Sequence, residues 1–363
     1  HRTSAALDVL GAGVSHTRTD GVVLSTGTAE QVTTDLSRAG IAAAVRALAG
    51  SLKAPARVDF GPPPAALGPA RELADHELLD RVTKLADRDA ELSSRIVYSA
   101  AVLELDESHV WAVGAGRDVE QRITRVRKSL TRVAWNGTRP VVSEVARAWA
   151  GGADDQDLDD ADLAAARDHA LALMTPTAFP DGDHAVALDP SVVALVIDTA
   201  VRTLLTSTAA RRPEVARRMA IGRRIAAPPV TVVDDPLAPR AYGGFVFDDR
   251  GERAEPVKLL DGGQVVGVLS PRRRARDVGP LVAVPSHLTV AAGTVAASAL
   301  LDDGFELEGG MSVFIDPSSD RTVISAARAR ERVGGKRTGR LYADIELVGE
   351  LGTLLAAVSA AST

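Results

Sequence analysis

The chain has 363 residues, 45% hydrophobic and 25% charged, the balance of a globular protein long enough for two domains. A formal net charge of −6 gives no long-range attraction to nucleic acid or anionic lipid, and 3% aromatics leave few stacking platforms. The lack of cysteine excludes disulfides, thiol nucleophiles and thiolate metal sites.

Residues 1–50 read as a small α/β start, with a strand at 22–25 and a helix at 41–49. No run has the pattern of a signal peptide or a membrane span, so a cytoplasmic protein is expected. The opening at His1 rather than Met suggests a trimmed or partially observed N-terminus. Residues 54–69, with Gly61-Pro62-Pro63-Pro64, read as a loop or strap, because successive prolines donate no backbone hydrogen bonds. A helix follows at 72–89. Residues 95–105 read as a strand, 106–109 as a turn, and 110–113 as the second arm of a hairpin. The stretch 122–135 fits a helix by the spacing of Ile123, Val126, Leu130 and Val133, and a long strand by its β-branched content. Asn136-Gly137 then marks a turn. Asp159 or Asp160 caps a helix running to Met174, with Leu163, Ala166, Ala170 and Leu173 on one side. Residues 175–183 hold two prolines and an Asp-Gly pair, and divide an N-terminal α/β domain (1–175) from a β-rich C-terminal domain (183–363).

The second half begins with a short strand at 184–188 and a strongly apolar helix at 190–206. Asp189 suits its cap and Pro190 its first turn, where a missing N–H costs nothing. Val192, Val193, Val196, Ile197, Ala200 and Leu204 form a buried stripe. Asp198, Thr199, Arg202 and Thr203 fall on a neighbouring polar strip, because positions three and four apart share a side. Arginines at 211, 212, 217, 218, 223 and 224 then make either a solvated segment or an anion-facing or partner-facing rim. Strands are expected at 230–233, 244–247, 256–260, 265–269, 281–284, 288–290, 311–315, 321–325 and 341–347, with Asp261-Gly262-Gly263 as a hairpin turn. Short helices are expected at 295–301 and 351–358. No glycine pattern is placed as a phosphate cradle.

The seven histidines show no close ligand spacing, so no metal site is local in sequence. Asp234-Asp235 and Asp248-Asp249 could bind a divalent cation or serve glycosidic chemistry. The competing reading is a turn whose side chains accept backbone N–H bonds. Ser286-His287 is no dyad, since neighbours in a strand face opposite ways. Arg272, Arg273 and Arg274, with Arg276, could contact a carboxylate-bearing substrate or a partner. Without interleaved aromatics they are poor evidence for nucleic acid.

Two stretches carry a family resemblance. Residues 230–251 run Val-Thr-Val-Val-Asp-Asp-Pro-Leu-Ala-Pro into Gly243-Gly244-Phe245-Val246-Phe247-Asp248-Asp249-Arg250-Gly251. Residues 259–269 place a strand pair around Asp261-Gly262-Gly263. Together with 309–324 and 345–350 they resemble the TldD/PmbA family. The resemblance implies a two-domain α+β protein with a β-rich C-terminal half. It also implies membership in a system whose TldD side is a zinc peptidase with a His-Glu-x-x-x-His helix, paired with a TldE/PmbA side lacking that motif. Laid over this chain, the motif's histidines fall on Asp198 and Thr203 and its glutamate on Thr199. Zinc hydrolysis needs about three protein ligands, a water and a carboxylate base. Threonine hydroxyls are weak neutral ligands, and Arg202 one turn beyond Asp198 favours an intrahelical ion pair.

The expectation is therefore a catalytically silent TldE/PmbA-like subunit that binds no metal. Its TldD-like partner would hold the zinc and cleave a peptide or small amide, a biosynthetic substrate included. A homo-oligomeric binding or scaffold protein is the alternative. A metal-independent enzyme using Asp198 or Asp248 is a weaker third.

Overall fold

The computed structural model describes residues 1–8, 11–25, 30–48, 71–88, 95–114, 117–175, 177–248, 251–270 and 284–363. The proline loop at 61–64, Arg272, Arg273, Arg274 and Arg276, Asp249, and most of the strand expected at 281–284 lie outside the described residues.

In chain order the first half comprises β1 (Arg2–Asp8), β2 (Gly11–Thr17), a hairpin of β3 (Val22–Ser25) and β4 (Glu30–Thr33), α1 (Arg38–Leu48) and α2 (Asp75–Asp87). These are followed by β5 (Ile96–Gly114), β6 (Arg117–Trp135), β7 (Pro140–Ala150) and α3 (Asp160–Ala172). Strands β2-β1-β5-β6-β7 form an antiparallel sheet in that order. Helix α2 covers one of its faces: Leu78, Val82 and Leu85 pack with Ala101, Leu103, Val126, Leu130 and Trp149.

The ambiguity over 122–135 resolves as strand for a geometric reason. Val126, Leu130 and Ala134 lie four apart, a spacing that is one turn of helix and also two full strand periods. Ile123, three from Val126, falls on the opposite face and packs with Val119, Val246 and Phe247. One strand thus packs on both of its faces.

Residues 106–109 are not a turn. Asp106, Glu107, Ser108 and His109 pair with Arg125, Thr124, Ile123 and Arg122 within one 19-residue strand. They are polar because β5 and β6 run on as a two-stranded ribbon beyond β1, whose pairing ends at Asp106.

The second half continues with β8 (Thr177–Ala178), β9 (Val186–Leu188), α4 (Pro190–Leu204), α5 (Pro213–Arg218), β10 (Val232–Asp234), β11 (Val257–Asp261), β12 (Gln264–Val265) and β13 (Leu288–Val290). It closes with β14 (Gly304–Ile315), β15 (Arg321–Val333), β16 (Lys336–Glu350) and α6 (Leu351–Ala356). Strands β8-β16-β15-β14-β9 make a second five-stranded sheet, and β12-β11-β10-β13 a smaller one. The fold class is α+β, as expected.

Between these elements the expected strand at 244–247 is absent apart from a single bridge, Phe247 with Arg253. The Gln121 side chain replaces a neighbouring strand there: its Oε1 accepts from Val246 N at 2.9 Å, and its Nε2 donates to Phe247 O at 3.0 Å. The helix expected at 295–301 is a 3-10 turn at Ala297–Ala299.

Helix α4 fills the main core. Val192, Val196, Ile197, Ala200, Val201 and Leu204 pack with Phe305, Leu307, Ile324, Ala326, Ala329 and Ile345 of the second sheet. Each such Val, Leu, Ile or Phe side chain contributes about 1.5–3 kcal/mol when fully buried. Helix α3 lies on the other face of that sheet, where Ala170 and Leu173 meet Leu341 and Ala343.

Candidate functional site

The site is built on α4 and the strand it crosses. Strand β9 pairs in parallel with Phe305–Leu307 of β14, and the chain then turns into the helix through Asp189. The Asp189 carboxylate organises that turn. Oδ1 accepts from Val192 N at 2.8 Å and from Ser191 Oγ at 2.7 Å, and Oδ2 accepts from Gly309 N at 3.0 Å. Ser191 Oγ accepts from Gly310 N at 2.8 Å. Gly309 adopts a φ of +72° beside the bulge of β14. A Cβ on Gly310 would lie 2.8 Å from Ser191 O. Close seating of the helix on the strand therefore requires this glycine pair.

The polar strip then emerges as the spacing dictates. Asp198, Thr199 and Thr203 are half-buried and Arg202 is exposed. Arg202 Nε donates to Asp198 Oδ2 at 2.7 Å, with the two side chains 50% and 39% exposed. This carboxylate faces a cation rather than a pair of imidazoles. The groups on α4 do not fit zinc: two neutral hydroxyls and one neutralised carboxylate fall short of the donor set that a hydrolytic zinc ion needs. Among the described residues, no group of three or more His, Cys, Asp or Glu side chains is gathered to hold a metal.

The other candidates separate. Asp234 is buried, and its Oδ1 accepts from Ser286 N at 2.9 Å, Ser286 Oγ at 2.9 Å and His287 N at 2.7 Å. Asp235 Oδ1 accepts from Leu237 N at 2.9 Å, and Asp248 Oδ1 from Glu252 N at 2.9 Å. These aspartates shape turns.

Sequence reasoning missed a second polar cluster on the face of the sheet away from α4. Glu308 stands opposite Arg328, and Glu306 opposite Arg330, across the β14–β15 ladder. Arg328 pairs with Glu308, and Arg330 Nε reaches the same carboxylate at 3.1 Å. Arg332 and Arg337 each hold Glu306 at 2.7 Å. Burial alone would raise the Glu308 carboxyl, but Arg328 and Arg330 overcome that and hold it below its ordinary range. His169 of α3 is buried nearby; Nδ1 lies 3.4 Å from Ser143 Oγ, and among the described residues Nε2 has no hydrogen-bond partner. Burial pushes this imidazole down to about 4, with Arg328 adding to the effect. Alternating Glu and Arg along 306–308 and 328–332 was the available signal, since it puts like side chains on one face of each strand.

Fold and site together define an α+β protein built on two five-stranded sheets, with a capped apolar helix held against a glycine-bulged strand. Residues 181–362 match the family description PmbA/TldA metallopeptidase C-terminal domain. The chain belongs to the PmbA/TldD family. It is 24% identical over 245 residues to a metalloprotease of Methanothermobacter thermautotrophicus, covering 64% of this chain and 52% of that protein. A metalloprotease of Synechocystis is 26% identical over 220 residues, covering 59% and 45% respectively. The chain thus spans about half the length of these curated relatives. Among solved structures, TldE from Thermococcus kodakarensis superposes with a TM-score of 0.76 at 14% identity, covering 98% of this chain and 87% of that one. A Thermotoga maritima protein described as a candidate modulator of DNA gyrase gives 0.81 at 15% identity, covering 100% and 89%. These structural likenesses establish the fold.

Proposed function

We propose that this chain is the metal-free, TldE-like subunit of a heterodimeric metallohydrolase, whose zinc site lies in a TldD-like partner and whose substrate is a peptide or small amide. The observation that carries the reading is the Asp198–Arg202 ion pair on α4, with Thr199 and Thr203 completing the strip. Family membership gives the reaction class, and α4 supplies neither an imidazole ligand nor a free carboxylate base. In this reading α4 and the second sheet form a wall of the substrate chamber. The residues of this chain position substrate there without touching the reacting atoms.

The test is co-expression with a family member that carries an intact His-Glu-x-x-x-His helix. The chains are then separated, and metal content and amide cleavage are measured for each. The expected result is zinc in the partner alone and cleavage by the pair. Stoichiometric zinc in this chain, or amide turnover by it unaided, overturns the reading.

A further inference from the structure

Residues 202–224 hold seven arginines against a single carboxylate, Glu214, in a protein whose net charge is −6. Two of the seven are neutralised: Arg202 by Asp198, and Arg218 by Asp320 at 2.9 Å. Arg211, Arg212, Arg217, Arg223 and Arg224 are all exposed, and among the described residues no carboxylate pairs with them. Elsewhere pairing is common, as for Arg81, Arg88, Arg147 and Arg328.

The five arginines are carried by compact structure. Arg211 ends a 3-10 turn, Arg212 precedes α5 and Arg217 lies in its last turn. Arg223 Nη1 donates to Arg217 O at 3.2 Å. Arg224 donates to Gly262 O and bridges to Gln264, which ties the segment to the turn between β11 and β12. Arg211 and Arg212 stand before a helix N-terminus, where backbone polarity disfavours cations. Local stability therefore does not account for them. In the same segment Ile221 is 64% exposed.

We propose that this surface docks an acidic polypeptide segment, with its carboxylates on the arginines and an apolar side chain against Ile221. Planar guanidiniums bind carboxylates in bidentate fashion, and a central apolar contact gives such an interface its anchor. The exposed isoleucine and the lack of aromatics in 202–224 favour polypeptide over nucleic acid, whose bases call for stacking partners. The inference concerns this chain alone and stands apart from the proposed metallohydrolase partner.

The probe is a fluorescein-labelled twelve-residue peptide of glutamates flanking a central leucine pair, followed by anisotropy against the full chain. Its glutamine counterpart and a single-stranded DNA of equal length serve as comparisons. The glutamate peptide is expected to bind and the glutamine peptide not, with binding weakened as salt rises toward about 0.15 M, where charges beyond about 8 Å are screened. Arg211→Glu with Arg217→Glu and Arg223→Glu should weaken it at least about tenfold, and Ile221→Ser several-fold, with thermal midpoints unchanged. Equal binding of both peptides, indifference to the charge reversals, or tighter binding of the DNA overturns the proposal.

Discussion

Arg202 lies one helical turn beyond Asp198 on α4 and donates to its carboxylate at 2.7 Å. Both side chains are substantially exposed, so the pair is worth less than about 1 kcal/mol. Its importance to the proposed role is chemical, because it occupies the carboxylate onto which the family resemblance lays the first histidine of the peptidase motif. Arg202→Ala should shift the unfolding midpoint in urea by an amount equivalent to less than about 1 kcal/mol. Even with Asp198 released, the variant should retain no zinc after dialysis, since one carboxylate and two hydroxyls are too few donors. Zinc at one equivalent in that variant would show that arginine competition alone had kept a metal site closed.

Asp189 closes the helix and ties it to β14 with the same carboxylate. Asp189→Ala removes an N-cap, worth about 1 kcal/mol, and leaves Gly309 N–H without its acceptor at a further cost of about 1–3 kcal/mol. A total loss of about 2–4 kcal/mol is expected from chemical denaturation. Asp189→Asn, with one acceptor oxygen, should fall between the two. Gly310→Ala tests the same contact from the strand side, since its methyl group would press on Ser191 O. A Gly310→Ala protein as stable as the parent would mean that α4 is seated more loosely than the distances indicate.

Local chemistry explains which parts of the fold were legible. Helix α4 was readable because its apolar stripe, Asp189 cap and Pro190 agree, and each acts within a few residues. Helix α3 was readable from its stripe and from Asp159, which accepts from Asp162 N at 2.8 Å. The polar quartet 106–109 misled because a strand exposed beyond its neighbours needs no apolar alternation. Strands β1, β2 and β7 went unread, although Val141, Ser143 and Val145 alternate as a half-buried strand should. The segment 244–247 looked like a strand because its backbone groups are satisfied in a strand-like way, yet the partner is the Gln121 side chain, far away in sequence. Of the two polar clusters, the strip on α4 follows from helical spacing alone. The His169–Glu308–Arg328 cluster joins α3, β14 and β15, and only the tertiary fold brings those together.

Glu308 is held by the guanidiniums of Arg328, Arg330 and Arg337, with its side chain 12% exposed. Removing its charge leaves Arg328 and Arg330 facing each other in a poorly solvated site, which typically costs about 3–5 kcal/mol. Glu308→Gln keeps the shape of the side chain and should lower stability by about 3 kcal/mol. Substituting the exposed Glu331 partner Arg340 should cost less than about 1 kcal/mol. The comparison by urea titration separates a buried ion network from a surface one. Equal small losses would show that Glu308 contributes no more than a rim charge.

His169 gives the cluster a pH signature. Its ordinary value of 6.5 is pushed down to about 4 by burial, reinforced by Arg328 and Arg330 and opposed by Glu308. An imidazole that resists protonation when folded lets the unfolded chain take up the proton first. Stability should therefore be full above about pH 6.5 and fall as pH drops toward 4, by on the order of 3 kcal/mol. Glu308, held below its ordinary 4.5, adds its own loss only at lower pH, so the two windows separate. His169→Gln removes the titrating group and should flatten stability between pH 6.5 and 4.5, leaving the loss at lower pH in place. Urea midpoints measured across that range for both proteins decide the matter. An identical slope in the variant would mean that His169 takes up its proton alike in both states, and that the acid sensitivity of the protein comes from its carboxylates.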